Sequence, residues 1–296
     1  MPLIIPSGAT VATGMSRVAD MGLYADEIFI EGFSYSGDYD EPYVGQIQVE
    51  RFDPDDSIEP KNPGSKLVVD TYENDVMNIN CNNGFQKSVV VPQYYTATLP
   101  TPVLANTVWN TTEAIRIGRQ KAALAALIAG LGSKQLVNPS DSSTALTTTN
   151  VTEMILEDLK LLRKNHARPD IVIMSVDAYS KMLSRVGKDF TTEYNDEVVR
   201  TGRIGRWMGM YFLESTLLSQ GKTFKYIDGS GSTQSVNTTG VDYIMYDHRA
   251  FTIIDKLIAL RALDSLDYVG TQVQMEIDSG FAVTNGDCVL VRQVSD

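Results

Sequence analysis

The sequence is poor in the side chains that most enzymes use for covalent or metal-dependent chemistry. Its 296 residues include only two cysteines, Cys81 and Cys288, and two histidines, His166 and His248. A zinc site would need nearly all four to come together from distant parts of the chain. Nothing in the sequence requires a disulfide, so the cysteines are expected to be buried, reduced thiols. We predict no metal site, no cofactor and no catalytic residues.

Long apolar runs and the motifs of common enzyme families are also missing. No stretch of eighteen apolar residues exists, which excludes a transmembrane helix, and the start MPLIIPSGATVATG lacks the basic region of a signal peptide. No GxxxxGK[ST], GxGxxG, HExxH, CxxC or GxSxG motif occurs. Residues 228–233, DGSGST, have the composition of a phosphate loop but no lysine at the required place. We expect a flexible surface loop there, which continues to residue 240.

Negative charge is concentrated at the start of the chain. The net charge is −12, and residues 1–80 hold fifteen acidic against four basic side chains, while the remaining residues hold twenty-two against twenty-one. A chain this acidic is not expected to read a nucleic-acid sequence, because phosphate contacts need positive surface charge. Enclosing nucleic acid without gripping it is compatible with the charge. Asp53, Asp55 and Asp56 are interpreted as an acidic, solvated turn rather than a cation site.

The first quarter of the chain lacks the pattern of a compact domain. Residues 1–30 show no regular periodicity. Residues 46–52 alternate polar and apolar, residues 66–70 are another apolar strand candidate, and the connection between them is rich in turn residues. Two such strands form an extended hairpin, which is marginal alone in water and needs a partner surface.

Helical patterns begin near residue 110. Asn110 with Glu113 is a capping box, and the following stretch to Ile128 is dense in helix formers, so a long helix is predicted at 112–131. Asn150 with Glu153 predicts the start of a second, amphipathic helix that ends near residue 165.

The rest of the chain alternates between strands and one short helix. A buried strand at 171–174 and a short helix capped by Ser175 or Asp177 indicate a compact α/β unit. Asn285-Gly286 is a hairpin turn signal within the alternating residues 273–294. Further strands are predicted at 210–214, 223–227, 241–246 and 251–258.

One stretch, RTGRIGRWMGMYFLES (200–215), combines glycines, arginines and an apolar run. The glycines are interpreted as turn positions, because a strand rather than a helix follows them and no helix N-terminus faces an anion. The stretch is expected to contact another subunit, with Arg203→Glu impairing assembly while the subunit stays folded. The candidate contact residues are Arg200, Arg203, Arg206 and Trp207.

A hydrolytic or sugar-binding role is an alternative. His248 follows Asp247 directly, and the two would act as a general base pair, whereas a turn-stabilising histidine is the simpler interpretation. A pair of carboxylates, as glycosidases use, has no positive support in the sequence.

The order of elements from about residue 110 to 293 resembles the major capsid proteins of tailed bacteriophages, the family with the Hong Kong 97-type fold. The stretches that carry the resemblance are ARPDIVIMSVDAYSKML, GRIGRWMGMYFLEST and QVQMEIDSGFAVTNGDCVLVRQ. The resemblance implies an α+β fold with five parts: an N-terminal arm at 1–30, an extended β-hairpin loop at 31–75, a peripheral domain at 76–168 with the long helix, an axial α/β domain at 169–270, and C-terminal strands at 271–296 that return to the peripheral domain.

The resemblance also implies a structural function. The subunit would form hexamers and pentamers of an icosahedral head in the virion, assembled in the host cytoplasm around double-stranded DNA that it does not bind sequence-specifically. A separate scaffolding protein, a portal and decoration proteins are the further partners implied, with no membrane. Phe52, Lys61 and Lys66 would contact neighbours from the extended loop, although no asparagine partner for a lysine cross-link is identifiable. A cargo-enclosing bacterial compartment with the same fold is the other alternative.

Overall fold

A computed structural model of the chain describes residues 46–51, 75–94, 103–131, 136–137, 145–189, 204–220, 223–265 and 269–293. These residues contain three α-helices and thirteen strands arranged in four sheets. The helices are α1 (Val103–Ala129), α2 (Val151–Lys164) and α3 (Val176–Asp189). The strands are β1 (Gln46–Arg51), β2 (Asp75–Asn80), β3 (Asn83–Pro92), β4 (Leu136–Val137), β5 (Ile171–Ser175), β6 (Arg206–Trp207), β7 (Met210–Ser215), β8 (Thr223–Ile227), β9 (Thr233–Asn237), β10 (Val241–Tyr246), β11 (Phe251–Asp264), β12 (Gly270–Val283) and β13 (Val289–Gln293).

A six-stranded sheet, in the order β4-β13-β10-β5-β7-β6, lies between two hydrophobic clusters. Alternate residues of a strand face opposite sides of its sheet. Ile171 and Ile173 of β5 accordingly pack into the cluster that contains the end of α1, whereas Val172 and Met174 pack against α2 and α3. Burial on both faces explains why β5 and β10 are almost continuously apolar in sequence.

A three-stranded antiparallel sheet, in the order β11-β12-β3, packs on α1. β11 and β12 have 14 residues each and pair from Phe251↔Val283 to Asp264↔Thr271, with a bulge between Leu257 and Ala259. β8 and β9 form a separate hairpin. β11 extends beyond the predicted 251–258, and β9 lies where a surface loop was predicted.

The long helix begins at Val103, not near residue 112. Asn110 lies inside α1, and Glu113 pairs with Arg116 instead of forming a capping box. In the sequence, Pro102 comes directly before the first helical residue, Val103. A proline at this place is compatible with helix initiation, because its φ is already helical and its missing N–H has no intrahelical partner to lose.

Of the caps predicted for the other two helices, the one for α3 is confirmed and the one for α2 is not. Asn150 does occupy the N-cap position of α2, but its side chain makes no capping bond. It accepts from the Thr147 backbone N–H (2.7 Å) and donates to the Ala145 carbonyl (2.9 Å), so it fixes the preceding turn. At α3 the prediction is confirmed for Ser175, whose Oγ accepts from the Ala178 N–H at 3.3 Å.

The strands at the two ends of the chain pair differently from the sequence prediction. β1 pairs with β2, from Gln46↔Asn80 to Arg51↔Asp75, while the predicted partner at 66–70 lies outside the described residues. β12 and β13 do not form a hairpin, because each joins a different sheet. The Asn285 side chain accepts from the Asp287 N–H and shapes a 3-10 turn that leads across to β13. The domain limits remain a prediction.

The cysteines and the helices each bear on one further expectation from the sequence. Cys81 and Cys288 are free thiols, half-buried rather than buried. None of the described helices combines the length and apolar character needed to cross a membrane.

Candidate subunit-contact surfaces

The stretch predicted as a contact site forms the edge of the six-stranded sheet. β6 is the edge strand and turns back onto β7, with Trp207 opposite Met210. Gly205 (φ +62°) and Gly209 (φ +87°) take left-handed backbone conformations, as the turn interpretation expects. Because β7 is a strand, no helix N-terminus follows the glycines, and the geometry is not that of a phosphate loop.

The side chains at this edge leave an exposed apolar surface. Met208 is 53% exposed and Tyr211 is 41% exposed, whereas Trp207 packs towards Phe212 with ring centroids 5.9 Å apart. The Arg206 guanidinium lies 4.9 Å from the centre of the Tyr211 ring and donates to the Gly209 carbonyl. Arg206 therefore orders its own hairpin and packs on the Tyr211 ring.

Five of the predicted contact residues are not among those that the structure describes. Arg200, Arg203, Phe52, Lys61 and Lys66 all lie outside the described residues. Their role as contact residues remains a prediction.

The β11–β12 hairpin offers a second surface. Its base is buried with Phe251 and Phe281 in the core, and it is held to α1 by Arg119, which pairs with Asp255; Ser279 donates to the same carboxylate. Further out, residues 261–264 are exposed, Leu263 is 43% exposed and Val269 is 79% exposed. Fourteen extended residues span about 48 Å. The hairpin therefore packs against β3 and α1, but apolar side chains in its outer half remain exposed to solvent.

The β8–β9 turn contains the DGSGST sequence and binds its own carboxylate. Asp228 Oδ1 accepts from the backbone N–H groups of Ser230 and Ser232, both at 2.9 Å, and Gln234 donates to Oδ2. The hydrogen bonds from Ser230, Gln234 and Ser232 lower the pKa of Asp228 to about 2. Since a carboxylate already occupies these N–H groups, the turn does not offer them to a phosphate.

An unpredicted row of asparagines fixes this turn to the β2–β3 junction. Asn83 exchanges two hydrogen bonds with the backbone of Ile227, at 2.7 and 2.9 Å. Asn80 and Asn82 donate to the carbonyls of Gly229 and Asp228. The signal in the sequence is NINCNN, whose last three asparagines surround the end of a strand. Their bonding partners are about 145 residues away, so local sequence patterns do not reveal them.

The proposed Asp247–His248 pair has a different geometry from the one predicted. His248 Nδ1 pairs with Asp170 and is 3.8 Å from Asp247, which is too long for a hydrogen bond. Asp247 instead binds Arg249. Burial raises the pKa of Asp247, but the hydrogen bonds from Arg249 outweigh it, so this pKa is lowered.

Asp170, Asp247 and His248 form a cluster that links two segments of the chain. The oxygens of Asp170 and Asp247 and the His248 nitrogen lie within 4.8 Å of one another, close enough to hold a metal ion. However, both Asp247 oxygens are hydrogen-bonded to Arg249, and Asp170 also accepts from the His248 backbone N–H at 2.9 Å. The arrangement fastens the start of β5 to the turn before β11, which is the turn-stabilising role.

Comparison with protein-family models gave no match, and neither did comparison with curated proteins. Solved phage structures, by contrast, contain chains of the same architecture. A chain of Mycobacterium phage Che8 matches with a TM-score of 0.70 at 13% identity, over 99% of this chain and 98% of that one. A chain from the capsid of cyanophage P-SCSP1u matches with a TM-score of 0.72 at 13% identity, over 96% and 93%.

A chain from the mature capsid of bacteriophage PhiM1 gives a TM-score of 0.68 at 13% identity, over 96% of this chain and 92% of that one. At such low identity the likeness concerns the backbone, and it spans almost the whole of both chains in each case. The chain therefore shares the α+β fold of these phage chains, two of which come from capsids, as the sequence resemblance implied.

Proposed function

We propose that this chain is a major capsid protein, the structural subunit that self-assembles into the icosahedral head of a tailed bacteriophage around double-stranded DNA. The observation that carries the proposal is the match over nearly the whole length of both chains with chains of phage structures, two of which are capsids. The protein acts by contact with its copies rather than by catalysis.

The exposed apolar surfaces support this function. Met208 and Tyr211 at the sheet edge, with Leu263 and Val269 on the long hairpin, leave large apolar side chains in water. Such surfaces are typical of interfaces. A shell subunit covers them with its neighbours, and burial of these side chains stabilises the shell.

The finer organisation follows from the same proposal. Subunits form hexamers and pentamers, with 169–270 as the axial domain, 76–168 as the peripheral domain, and the segments 1–30 and 31–75 reaching over neighbours. Arg206 and Trp207 lie at a contact between subunits. The other contact residues are Arg200, Arg203, Phe52, Lys61 and Lys66. A separate scaffolding protein, a portal and decoration proteins complete the virion, which assembles in the host cytoplasm.

Electron microscopy of the purified protein tests the proposal. We expect closed particles of uniform diameter when the chain is produced with its scaffolding protein. A monomer or dimer under every assembly condition would contradict it. Nuclease treatment of particles from infected cells then separates a virion from a cargo compartment, because a virion protects genomic DNA and a compartment protects an enzyme.

A further inference from the structure

A cavity of about 480 Å³ opens at the C-terminal end of α2. Among the described residues it is lined by Arg163, His166, Ala167, Arg168 and Pro169. The three polar members are all exposed, and all three carry nitrogen donors. None of these five lining residues is acidic. The described wall of the cavity is therefore basic, although the protein as a whole has a net charge of −12.

The sequence around the cavity is unusually basic. Residues 160–168, KLLRKNHAR, contain four lysines and arginines and no acidic residue. Within the described part of the chain, the side chains of Arg163, His166 and Arg168 form no ion pair or hydrogen bond. The other arginines of the core elements, such as Arg119, Arg249 and Arg292, are each paired with an aspartate. The donors at the cavity are therefore available to a ligand.

The backbone holds His166 at a position where glycine is the usual residue. α2 ends in a Schellman motif: the Ala167 N–H donates to the Leu162 carbonyl (3.1 Å) and the His166 N–H donates to the Arg163 carbonyl (3.2 Å). His166 takes φ +60° there. A left-handed conformation disfavours residues with a Cβ, and such strain concentrates at functional sites. The imidazole is thus presented at the cavity wall at a conformational cost.

The same motif makes the cavity more favourable to anions. The last carbonyls of a helix normally carry partial negative charge that opposes a bound anion. Here the carbonyls of Leu162 and Arg163 are engaged by the Schellman hydrogen bonds. The two guanidiniums therefore dominate the local potential, and a guanidinium fork binds phosphate oxygens in pairs.

We infer that the α2 cavity, formed by Arg163, His166 and Arg168, is a binding site for a phosphate oxyanion. Two sources carry this group: free inorganic phosphate and the phosphodiester backbone of DNA. The site itself does not depend on the proposed capsid function, but DNA as its natural source does. In that case the cavity is a sequence-independent contact between the shell and the enclosed genome.

The first test measures binding of inorganic phosphate to the full-length, unassembled protein by isothermal titration calorimetry. We expect saturable binding that weakens about tenfold in Arg163→Gln and in Arg168→Gln, since each removes a charge-assisted hydrogen bond. Lys160→Gln is the matched control, because it removes one charge from the same helix outside the cavity lining. No binding to the unchanged protein, or equal weakening in the control, would overturn the site.

A second variant separates binding from folding. His166→Gly relieves the left-handed strain, so its thermal midpoint should stay level or rise while phosphate affinity falls. If the midpoint drops and affinity is unchanged, the imidazole has only a structural role and is not part of the site.

A short DNA duplex, followed by fluorescence anisotropy at several salt concentrations, identifies the source. If DNA is bound here, the double change Arg163→Gln/Arg168→Gln lowers the salt slope by about 2. Phosphate binding without duplex binding supports the site with free phosphate as its ligand. Either result is independent of particle formation, so failure of the site and failure of the capsid proposal are distinguishable.

Discussion

At the scale of single residues, the clearest device is a buried ionic cluster beneath α2. Arg292 of β13 donates to both oxygens of Asp158, at 2.8 and 2.9 Å, and the Tyr243 hydroxyl also bonds this carboxylate. Arg292 and Asp158 are only 4% and 6% exposed. Burial raises the pKa of Tyr243, so the phenol stays protonated and donates. The three groups satisfy one another and fix α2 over the sheet.

Removing one member of this cluster should be costly. Asp158→Ala leaves the buried guanidinium without its partner, and we expect a loss of about 3–5 kcal/mol in the free energy of unfolding. Urea denaturation measures it. The double change Asp158→Leu/Arg292→Met should recover much of that loss, because no buried charge is left unpaired. A single variant as stable as the unchanged protein would contradict the role of the cluster.

Gly270, the first residue of β12, lies too close to a neighbouring backbone to carry a side chain. A Cβ atom on Gly270 would lie 2.2 Å from the Val91 carbonyl oxygen, a contact that only backbone movement can relieve. Gly270→Ala should therefore cost about 1–3 kcal/mol in the free energy of unfolding. Gly229→Ala is the matched control, since its nearest contact is an ordinary 3.6 Å. Equal stability of the two variants would refute the steric argument.

At the scale of elements, the β8–β9 hairpin depends on its turn carboxylate. The pKa of Asp228 is lowered from 3.8 to about 2, so the stabilisation from its hydrogen bonds is complete above about pH 4 and is lost as the pH falls through 2. The amide NMR signals of Ser230 and Ser232 should therefore shift together between pH 4 and 2, as the Asp228 carboxylate is protonated. In Asp228→Asn this transition should vanish; its persistence would assign it to another group.

At the scale of the whole molecule, the sheet edge should matter for assembly and not for folding. Met208 takes φ +51°, a conformation that asparagine tolerates better than most residues, and its side chain is exposed. Met208→Asn should keep the subunit folded while lowering the yield of closed particles several-fold, because it removes apolar contact area. Met208→Leu, which keeps that area, is the control. Particle yields are counted by electron microscopy, and an undiminished yield for Met208→Asn would exclude this edge from the interface.

The sequence by itself determined the elements whose signal is local. The helix periodicity of α2, a cap at either Ser175 or Asp177, and the apolar run of β5 follow from residues that are neighbours in the chain. The turn glycines Gly205 and Gly209 were also predictable, because the backbone angles they need are intrinsic to the residue. The order of these elements was enough to indicate the capsid-protein fold.

Tertiary structure alone decided what depends on distant partners. Asn285-Gly286 has the local chemistry of a hairpin turn, yet β13 pairs with β10. In that position the apolar side chains of β13 pack into both hydrophobic clusters, one against α1 and the other against α2. Asn83 meets Ile227 and Arg292 meets Asp158 across more than a hundred residues. Local propensities contribute a few tenths of a kcal/mol per residue. Burial of one large apolar side chain contributes about 1.5–3 kcal/mol, and a buried charge left without its partner costs about 3–5 kcal/mol, so the long-range terms prevail.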